Sequence, residues 1–357
     1  VGFIGVGGRG TYLLNETLRL SAAGAKVKPV AVCDIYDIRL QEAAKIAKLP
    51  AKSAYRDYRE LLKQPDVDVV VIATPDHWHS KLSIEAMDAG KHVYCEKPLT
   101  LTVEQAIEVR DAQRRYKKVL QVGPNFTAED QFWNAREIIE AGRVGKVTWA
   151  HGSFNRNIRG GAFNVWFQID ETAGPHQTGE DYIDWNMWLG PARWVPYTAR
   201  RLHAQWYFIS DYAPSGFVAG WGIHHMDIVQ WALDADNSGP LEIETQAVFP
   251  KDGIFDTPVT WEVNYHYRGG IRVNFTDNRK NRQGIRFEGT EGWVHVTRSS
   301  IAAEPRSLLT KRLGPNDIRL YRCDSDDKNF VECVRTRRPT ASPVEAAHRS
   351  TSVCYIA

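Results

Sequence analysis

The chain has 357 residues, of which 43% are hydrophobic and 25% charged, so it has the composition of a globular protein of about two domains. Its 45 basic and 43 acidic residues are spread along the sequence and leave a net charge of +2, which gives no support to a nucleic-acid surface. No apolar run is long enough to span a membrane, and five cysteines without a Cys-x-x-Cys pair argue against a disulfide framework or a structural zinc site.

The start of the chain predicts a strand, a glycine-rich turn and a helix. Apolar residues Val1 to Ile4 read as the strand, and Gly5, Gly7 and Gly10 follow at G-x-G-x-x-G spacing before a helical pattern from Thr11 to Leu20. The first glycine permits a tight turn, the second lets the backbone approach a pyrophosphate, and the third lets the helix pack close to the strand. Phosphates would bind the free N–H groups at the helix N-terminus.

An acidic residue stands where a dinucleotide-binding unit needs one. A second apolar strand, Val27 to Cys33, ends in Asp34, which lies 24 residues beyond Gly10. A carboxylate at this point would bond the hydroxyls of the adenosine ribose. The glycine turn and this acid together predict a dinucleotide site.

Strand and helix patterns alternate up to residue 122, which predicts a parallel, doubly wound Rossmann sheet with right-handed crossovers. The further predicted helices are Asp37–Ala47, Tyr58–Leu62, Ser80–Ala89 and Val103–Lys117, and the further predicted strands are Val67–Ala73, His92–Cys95 and Val119–Val122. Residues 1–122 are therefore predicted to form an NAD-binding domain.

From residue 123 to residue 357 the pattern predicts an α+β domain with an open, mainly antiparallel sheet. Residues 155–215 form a long segment rich in Gly, Pro and Trp, which is typical of a lid or pocket wall. The predicted helices are Glu129–Ala141, Ile223–Leu233, Asp326–Arg335 and Val344–Cys354, and the predicted strands are Lys146–Phe154, Glu242–Phe249, Thr260–Tyr267, Ile271–Thr276, Gly284–Glu288 and Trp293–Thr297. This domain is expected to bind the substrate.

Two residues are the main catalytic candidates. Lys97 follows a buried strand, and ligands of doubly wound sheets bind beyond the carboxyl ends of strands, so this lysine would point at a nicotinamide. His224 shares one helix face with Asp227 at i, i+3 spacing, and Gly220 and Gly222 before it would leave room for a ligand. Because adjacent histidines point apart and no His-Glu-x-x-His motif occurs, no metal site is predicted.

Together these motifs resemble the Gfo/Idh/MocA oxidoreductases over nearly the whole chain and in the same order. The segments that carry the resemblance are Gly5-x-Gly7-x-x-Gly10, Asp34, Thr74-Pro75-x-His77-x-His79, Glu96-Lys97-Pro98 and Trp221-Gly222-Ile223-His224-His225-Met226-Asp227. The stretch Asp184 to Pro191 is similar to a feature of sugar-acting, often exported members. The compartment is left open, with the cytoplasm as the default expectation and export as the alternative.

The resemblance implies roles for individual residues. His224 would take the hydroxyl proton of a carbohydrate, Lys97 would hold and polarise the same oxygen, and Asp34 favours NAD over NADP because it would repel a 2′-phosphate. The substrate-binding residues implied are Asp227, His225, Trp221 and Arg156. The cofactor-binding residues implied are Gly5, Gly7, Gly8, Arg9, Gly10, Asp34, Thr74, Pro75, Asp76, His77, Trp78, His79, Glu96, Lys97 and Asn125.

One position departs from the family pattern. Many members carry an aspartate four residues before the catalytic histidine, where it orients the imidazole, and this chain has Gly220 there. The role would then pass to another acid, for which Asp181, Asp184 and Asp211 are the candidates.

Three functions follow as hypotheses. The first is an NAD-dependent oxidoreductase of a sugar, sugar derivative or polyol, and the second is an NAD-dependent enzyme that cleaves glycosides through transient oxidation at C3. The third is a non-catalytic sugar or nucleotide sensor on the same fold, since fold alone does not fix function. An open sheet with one apolar face also predicts a homodimer or homotetramer formed through the C-terminal sheet.

Overall fold

The computed structural model describes residues 1–123, 130–154, 183–277, 281–310 and 325–357. The strands are β1 (Gly2–Ile4), β2 (Ala31–Cys33), β3 (Ala54–Tyr55), β4 (Val69–Ile72), β5 (His92–Cys95), β6 (Leu120–Val122), β7 (Val147–Phe154), β8 (Glu242–Val248), β9 (Thr260–His266), β10 (Arg272–Asp277), β11 (Gly284–Gly289), β12 (Gly292–Val296) and β13 (Ile301–Glu304).

Five helices alternate with the first six strands, and seven more lie in the described parts of the rest of the chain. They are α1 (Gly8–Ala22), α2 (Asp37–Ile46), α3 (Tyr58–Leu62), α4 (His79–Asp88), α5 (Val103–Tyr116), α6 (Asp130–Glu140), α7 (Trp185–Leu189), α8 (Phe217–Gly220), α9 (Ile223–Ala232), α10 (Ser307–Thr310), α11 (Asp326–Thr336) and α12 (Val344–Tyr355). In the part of the chain that the structure describes, none of these is both long enough and apolar enough to cross a bilayer.

The first compact unit is built on a six-stranded parallel sheet with strand order β3-β2-β1-β4-β5-β6. This confirms the predicted Rossmann fold. The strand order reverses between β1 and β4, because β1 pairs with β2 on one side and with β4 on the other. Phe3, Val32 and Val71 lie in its core between helices on both faces, as expected for apolar strands of a parallel sheet. The carboxyl ends of these strands therefore meet at one edge, where a ligand binds in this fold.

Two segments distant in sequence complete this unit, which comprises Val1–Gly123, residues 183–206 and Asp327–Val344. Phe330, on α11, packs edge-on against Tyr94 of β5, with ring centroids 5.6 Å apart. An isolated antiparallel bridge joins Ile183 to Tyr36, just beyond β2. Sequence patterns assigned both segments to the second domain, because neither carries a local signal for packing against a parallel sheet.

The second compact unit contains the described residues of Pro124–Gln168 and Tyr207–Asp326, together with Glu345–Ala357. Its seven-stranded sheet has the order β13-β12-β11-β7-β10-β9-β8, in which only the β7–β10 pair is parallel, so the predicted, mainly antiparallel sheet is confirmed. One face is apolar and packs against the helices. A Cβ built at Gly152 would lie 3.2 Å from Phe275 and 3.5 Å from His225 of α9, which shows how closely helix and sheet approach.

Candidate active site

The glycine turn leaves an opening at the N-terminus of α1. Gly5 has a φ of +82°, and a Cβ built there would lie 2.8 Å from the backbone nitrogen of Thr74. A Cβ at Gly10 would lie 1.9 Å from the carbonyl oxygen of Gly5, so only glycine allows the helix to start this close to the strand. At Gly8 a Cβ would meet no described atom within 4 Å, and the cap residue Gly7 offers no side-chain bond. Helix α1, which starts three residues earlier than predicted, therefore begins without a side-chain cap and beside open space at Gly8, and helix N-termini of this kind suit a diphosphate.

A basic side chain reaches across the turn. A Cβ built at Gly7 would lie 2.8 Å from Nη1 of Arg39, whose guanidinium carbon lies 5.6 Å from the centroid of the Tyr36 ring. The atoms next to Gly7 are therefore the end of the flexible Arg39 side chain and not backbone atoms. A guanidinium in this place complements a phosphate by charge and by hydrogen bonding.

Asp34 ties the end of β2 to the glycine turn. Its Oδ2 accepts a hydrogen bond from the Val6 N–H at 2.8 Å, and its Oδ1 accepts one from the Tyr36 N–H at 2.9 Å. Burial raises the pKa of this carboxyl, and the two amides oppose the rise. Each carboxylate oxygen keeps a further lone pair, with which it can accept a ribose hydroxyl.

An ion pair joins the glycine turn to the Glu-Lys-Pro turn after β5. Nε of Arg9 donates to Oε1 of Glu96 at 2.6 Å, and the glutamate side chain is only 7% exposed. The arginine guanidinium also lies 4.9 Å from the centroid of the Tyr12 ring. Through this pair the residue directly before Lys97 is fixed to the N-terminus of α1.

The loop after β4 is anchored by its aromatic side chains. His77 Nε2 and Trp78 Nε1 lie 2.9 and 3.0 Å from the carbonyl oxygen of Trp188 in α7, to which the indole N–H donates. Burial lowers the pKa of His77 to about 4, so its ring is neutral and Nε2 carries the proton for this bond. With the bridge between Ile183 and Tyr36, these bonds place residues 183–188 beside the carboxyl ends of both β2 and β4.

The His79 ring contacts both the loop after β4 and the turn after β5. Its Nδ1 lies 2.6 Å from the carbonyl oxygen of Pro98, and its Nε2 lies 3.0 Å from that of Thr74. The side chain is buried, and burial lowers its pKa even though both carbonyls favour the protonated ring. The ring therefore links the loop after β4 to the turn after β5, and its contact with a cofactor stays a prediction.

Lys97 and Asp76 stand at the ends of neighbouring strands. β4 and β5 pair in parallel with Ile72 opposite Cys95, so both residues lie just beyond the same edge of the sheet. Asp76 is 2% exposed, whereas Lys97 is half-buried. Thus a buried acid and a lysine lie just beyond the edge of the sheet at which the sequence predicted the reacting groups.

The second unit carries the histidine block on α9. His224 is buried, and its ring centroid lies 5.7 Å from that of Trp221. His225 points to the sheet, where its ring lies 6.3 Å from Phe275 and burial lowers its pKa to about 4. The two histidines therefore differ in surroundings, since the His224 ring lies near the Trp221 ring and the His225 ring lies near Phe275 of the sheet.

Asp227 is held by the last helix. Oγ of Ser350 on α12 donates to its Oδ1 at 2.7 Å. Burial raises the pKa of this carboxyl to about 7, against the effect of the serine hydrogen bond. A contact with a sugar hydroxyl would therefore involve a carboxyl that already has one partner within the protein.

Protein atoms fill the space that the two glycines before His224 were expected to leave for a ligand. A Cβ at Gly220 would lie 2.9 Å from Cε1 of Tyr207, and one at Gly222 would lie 2.0 Å from the carbonyl oxygen of Val218 and 2.6 Å from Phe275. The expectation of room at these positions is therefore wrong, because both glycines serve close packing within the unit. Sequence reasoning did not find Tyr207, whose ring takes the place of a side chain at position 220.

For several of the predicted site residues, the structure does not provide a position that supports a catalytic role. Asn125, Arg156 and Asp181 lie outside the described residues. Asp184 caps α7, since its Oδ1 accepts from the Met187 N–H at 2.9 Å, and Asp211 is half-buried. Within the described ranges, no group of three or more His, Cys, Asp or Glu side chains is placed to hold a metal ion.

Two family models match successive parts of the chain. Residues 1–124 match an oxidoreductase family with an NAD-binding Rossmann fold, and residues 144–357 match the C-terminal alpha/beta domain of the same family. The chain belongs to the Gfo/Idh/MocA oxidoreductase family. This agrees with the resemblance carried by its motifs and makes it a member of an NAD-binding oxidoreductase family.

Curated relatives of this Gfo/Idh/MocA member include two kinds of enzyme. A glycosyl hydrolase family 109 protein of Shewanella sp. (strain W3-18-1) is 32% identical over 193 residues, which cover 52% of this chain and 39% of that protein. Inositol 2-dehydrogenase of Salmonella paratyphi B is 34% identical over 152 residues, which cover 42% of this chain and 44% of that protein. The matched region thus spans less than half the length of either relative.

Solved structures match over almost the whole chain. The WlbA dehydrogenase of Bordetella pertussis, in complex with NADH and UDP-GlcNAcA, has a TM-score of 0.69 at 17% identity and covers 99% of this chain and 93% of its own. An oxidoreductase domain protein of Kribbella flavida has a TM-score of 0.70 at 18% identity, covering 99% and 94%. At these identities the likeness establishes the fold.

Proposed function

We propose that the protein transfers a hydride between a hydroxyl-bearing carbon of a sugar, sugar derivative or polyol and the nicotinamide of NAD. The observation that carries this function is the Arg9–Glu96 ion pair, which fixes the turn bearing Lys97 to the open glycine turn. Relatives that act on inositol or bind a nucleotide sugar support the substrate class.

The glycine turn fits the dinucleotide, because the space beside Gly8 at the start of α1 is open and Arg39 supplies a positive charge beside the turn. Bound NAD supplies the acceptor for the hydride. We assign Lys97 to hold the substrate oxygen by donating a hydrogen bond, and His224 to remove the proton of the same hydroxyl. The proton and the hydride then leave the alcohol to different acceptors, which converts it to a carbonyl.

We assign NAD as the preferred dinucleotide. Asp34 stands at the end of β2 with both oxygens held by main-chain amides, so its negative charge is fixed where the adenosine ribose binds in this fold. A 2′-phosphate would meet this charge, although Arg39 nearby would offset part of the repulsion.

The test is NADH formation from added NAD⁺ against a panel of polyols, sugars and nucleotide sugars, followed by absorbance. Lys97→Met serves as the control, since it keeps the glycine turn and should bind NAD while losing turnover. The assignment is supported if the native protein forms NADH with at least one substrate and the variant forms NADH with none. A native protein that binds NAD yet reduces neither added nor bound dinucleotide on any substrate contradicts it.

A second function, glycoside cleavage, is favoured by the anchoring of residues 183–188. This segment lies beside the ends of both β2 and β4 through the Tyr36 bridge and the two bonds to Trp188, an arrangement suited to retaining a dinucleotide between turnovers. Transient oxidation at C3 would make the C2 proton acidic, so the aglycone would leave by elimination. Water would then add, and the hydride would return to C3. Release of aglycone without net NADH, with solvent deuterium entering at C2, distinguishes this function from the first.

We also propose that copies of the chain associate through the sheet of the second unit. By strand alternation Trp149, Asn274 and Arg286 lie on the face opposite Gly152 and the helices. This face is more polar than the apolar surface that the sequence suggested, since His151 and Asn274 pair across β7 and β10 and Arg286 stacks 4.2 Å over Trp293. Light scattering of the purified protein measures the oligomeric state, and a monomer at all concentrations would contradict the association.

A further inference from the structure

Asp76 is a buried acid with an unusual set of partners. It is 2% exposed, and its Oδ2 accepts no hydrogen bond from any residue that the structure describes. Leaving a buried carboxylate without compensation is costly, so a positive charge must face it if it is ionised. The residue lies four positions beyond Ile72, and Lys97 lies two positions beyond Cys95, the residue opposite Ile72 in the neighbouring strand.

The other ionisable groups around Asp76 are already engaged or neutral. Glu96 is held by Arg9 at 2.6 Å, so these two charges compensate each other. His77 and His79 lie against main-chain carbonyls, and burial lowers the pKa of each ring. Burial raises the pKa of the Cys95 thiol, which keeps it uncharged.

We propose that Asp76 is the counter-ion and positioning residue of Lys97, an assignment that rests on the catalytic role of Lys97 proposed above. The buried carboxylate holds the ammonium in its protonated form and turns it toward the place of the substrate oxygen. Lys97 then acts as a fixed hydrogen-bond donor and not as a base. The removal of the proton is left to His224.

Burial and the charge of Lys97 act on the pKa of Asp76 in opposite directions. Burial raises the pKa of Asp76 well above its ordinary value, the charge of Lys97 opposes that rise, and Glu96 adds to it. Burial alone therefore favours the neutral carboxyl, and the charge of Lys97 is what favours the carboxylate. His79 supports the arrangement from outside, because it links the loop that carries Asp76 to the turn that carries Lys97.

The experiment compares the native protein with Asp76→Asn, which keeps the shape and removes the charge. The pKa of Lys97 is read by competitive acetylation over a range of pH, followed by peptide mass spectrometry. Removal of an opposite charge within about 4–6 Å lowers a lysine pKa by about one to three pH units. The basic limb of the pH profile of kcat/KM should move to lower pH by the same amount. Asp66→Asn, at an exposed acid of the same unit, serves as the matched control and should change neither quantity.

The outcomes separate the two assignments. If Lys97 keeps its pKa in Asp76→Asn while Lys97→Met abolishes hydride transfer, the counter-ion role is wrong and the proposed function stands. If Lys97→Met leaves turnover intact, the catalytic role assigned to Lys97 is wrong, and with it the positioning role of Asp76, whereas a native protein that reduces no dinucleotide refutes the proposed function itself. Should Asp76→Asn fail to fold, Asp76→Glu carries the test. Asp76→Glu should keep the lysine pKa of the native protein with a lower kcat, and an unchanged kcat would overturn the assignment.

Discussion

Tyr207 and Gly220 form a close contact one helical turn before the histidine pair. The tyrosine ring occupies the space that a side chain at position 220 needs, because a Cβ built at Gly220 would lie only 2.9 Å from Cε1 of Tyr207. Gly220→Ala should therefore destabilise the protein by about 1–3 kcal/mol through overpacking. Thermal and denaturant unfolding measure this change.

Gly239→Ala is the matched control for that substitution, because a Cβ there meets no described atom within 4 Å. It should leave stability nearly unchanged. In a Tyr207→Ala background the cost of Gly220→Ala should disappear, which a double-mutant cycle detects. Equal costs at positions 220 and 239 would show that the ring does not fill this space.

The buried carboxyl of Asp227 predicts a pH dependence of stability. Its ordinary pKa is 3.8, and burial raises the value to about 7 in the folded protein. Between these two values the unfolded chain has released a proton that the folded chain still holds. Its contribution to the free energy of unfolding therefore falls as pH rises from about 4 to 7 and is constant above that range.

Asp227→Asn should remove this contribution while keeping an acceptor for the Ser350 hydroxyl. Relative to the native protein, the variant should gain stability as pH rises through this window, by up to about 4 kcal/mol. Denaturant unfolding at several pH values gives the difference directly. An identical pH dependence in native protein and variant would mean that Asp227 is ionised in the fold.

At the level of elements, the segment that contains α7 is joined to the Rossmann sheet through the carbonyl of Trp188. Trp78→Phe removes the indole hydrogen bond to this oxygen, which measures 3.0 Å, and leaves the bond from His77. If the segment retains the dinucleotide, the variant should release bound NADH about fivefold faster, as expected for the loss of one hydrogen bond of about 1 kcal/mol.

Trp194→Phe is the matched substitution, since Trp194 belongs to the same segment but is 66% exposed. Its NADH release should equal that of the native protein. A chase experiment that follows the fluorescence of bound NADH measures both rates. If both variants release NADH at the same rate, the segment does not retain the dinucleotide. The structural support for glycoside cleavage then falls as well.

For the molecule as a whole, the sequence predicted those features that depend on local patterns. Alternating strands and helices, the glycine turn and the antiparallel strands of the second sheet all have a period or a turn signal within a few residues. The contacts that shape the site join distant residues instead. Arg9 and Glu96 are 87 residues apart, His77 and Trp188 are 111 apart, and neither pair leaves a trace in local sequence.

The glycines show the same limit. Gly10 could be interpreted correctly because its partner, the carbonyl oxygen of Gly5, lies within the motif. Gly220 could not, because the ring that fills its space belongs to Tyr207, and Gly222 packs both against the nearby Val218 carbonyl and against the distant Phe275, which no pattern connects to it. A missing side chain is therefore evidence for close packing or for a ligand only once its neighbours are known.

The central claim is that Lys97 and His224 act on one substrate oxygen above the nicotinamide. A crystal structure with NADH and a substrate tests it most directly. We expect Nζ of Lys97 and a ring nitrogen of His224 each within about 2.6–3.2 Å of the same oxygen, with the carbon that bears it facing C4 of the nicotinamide. A complex in which NADH fills the glycine turn while either side chain lies out of reach of that oxygen would contradict the account.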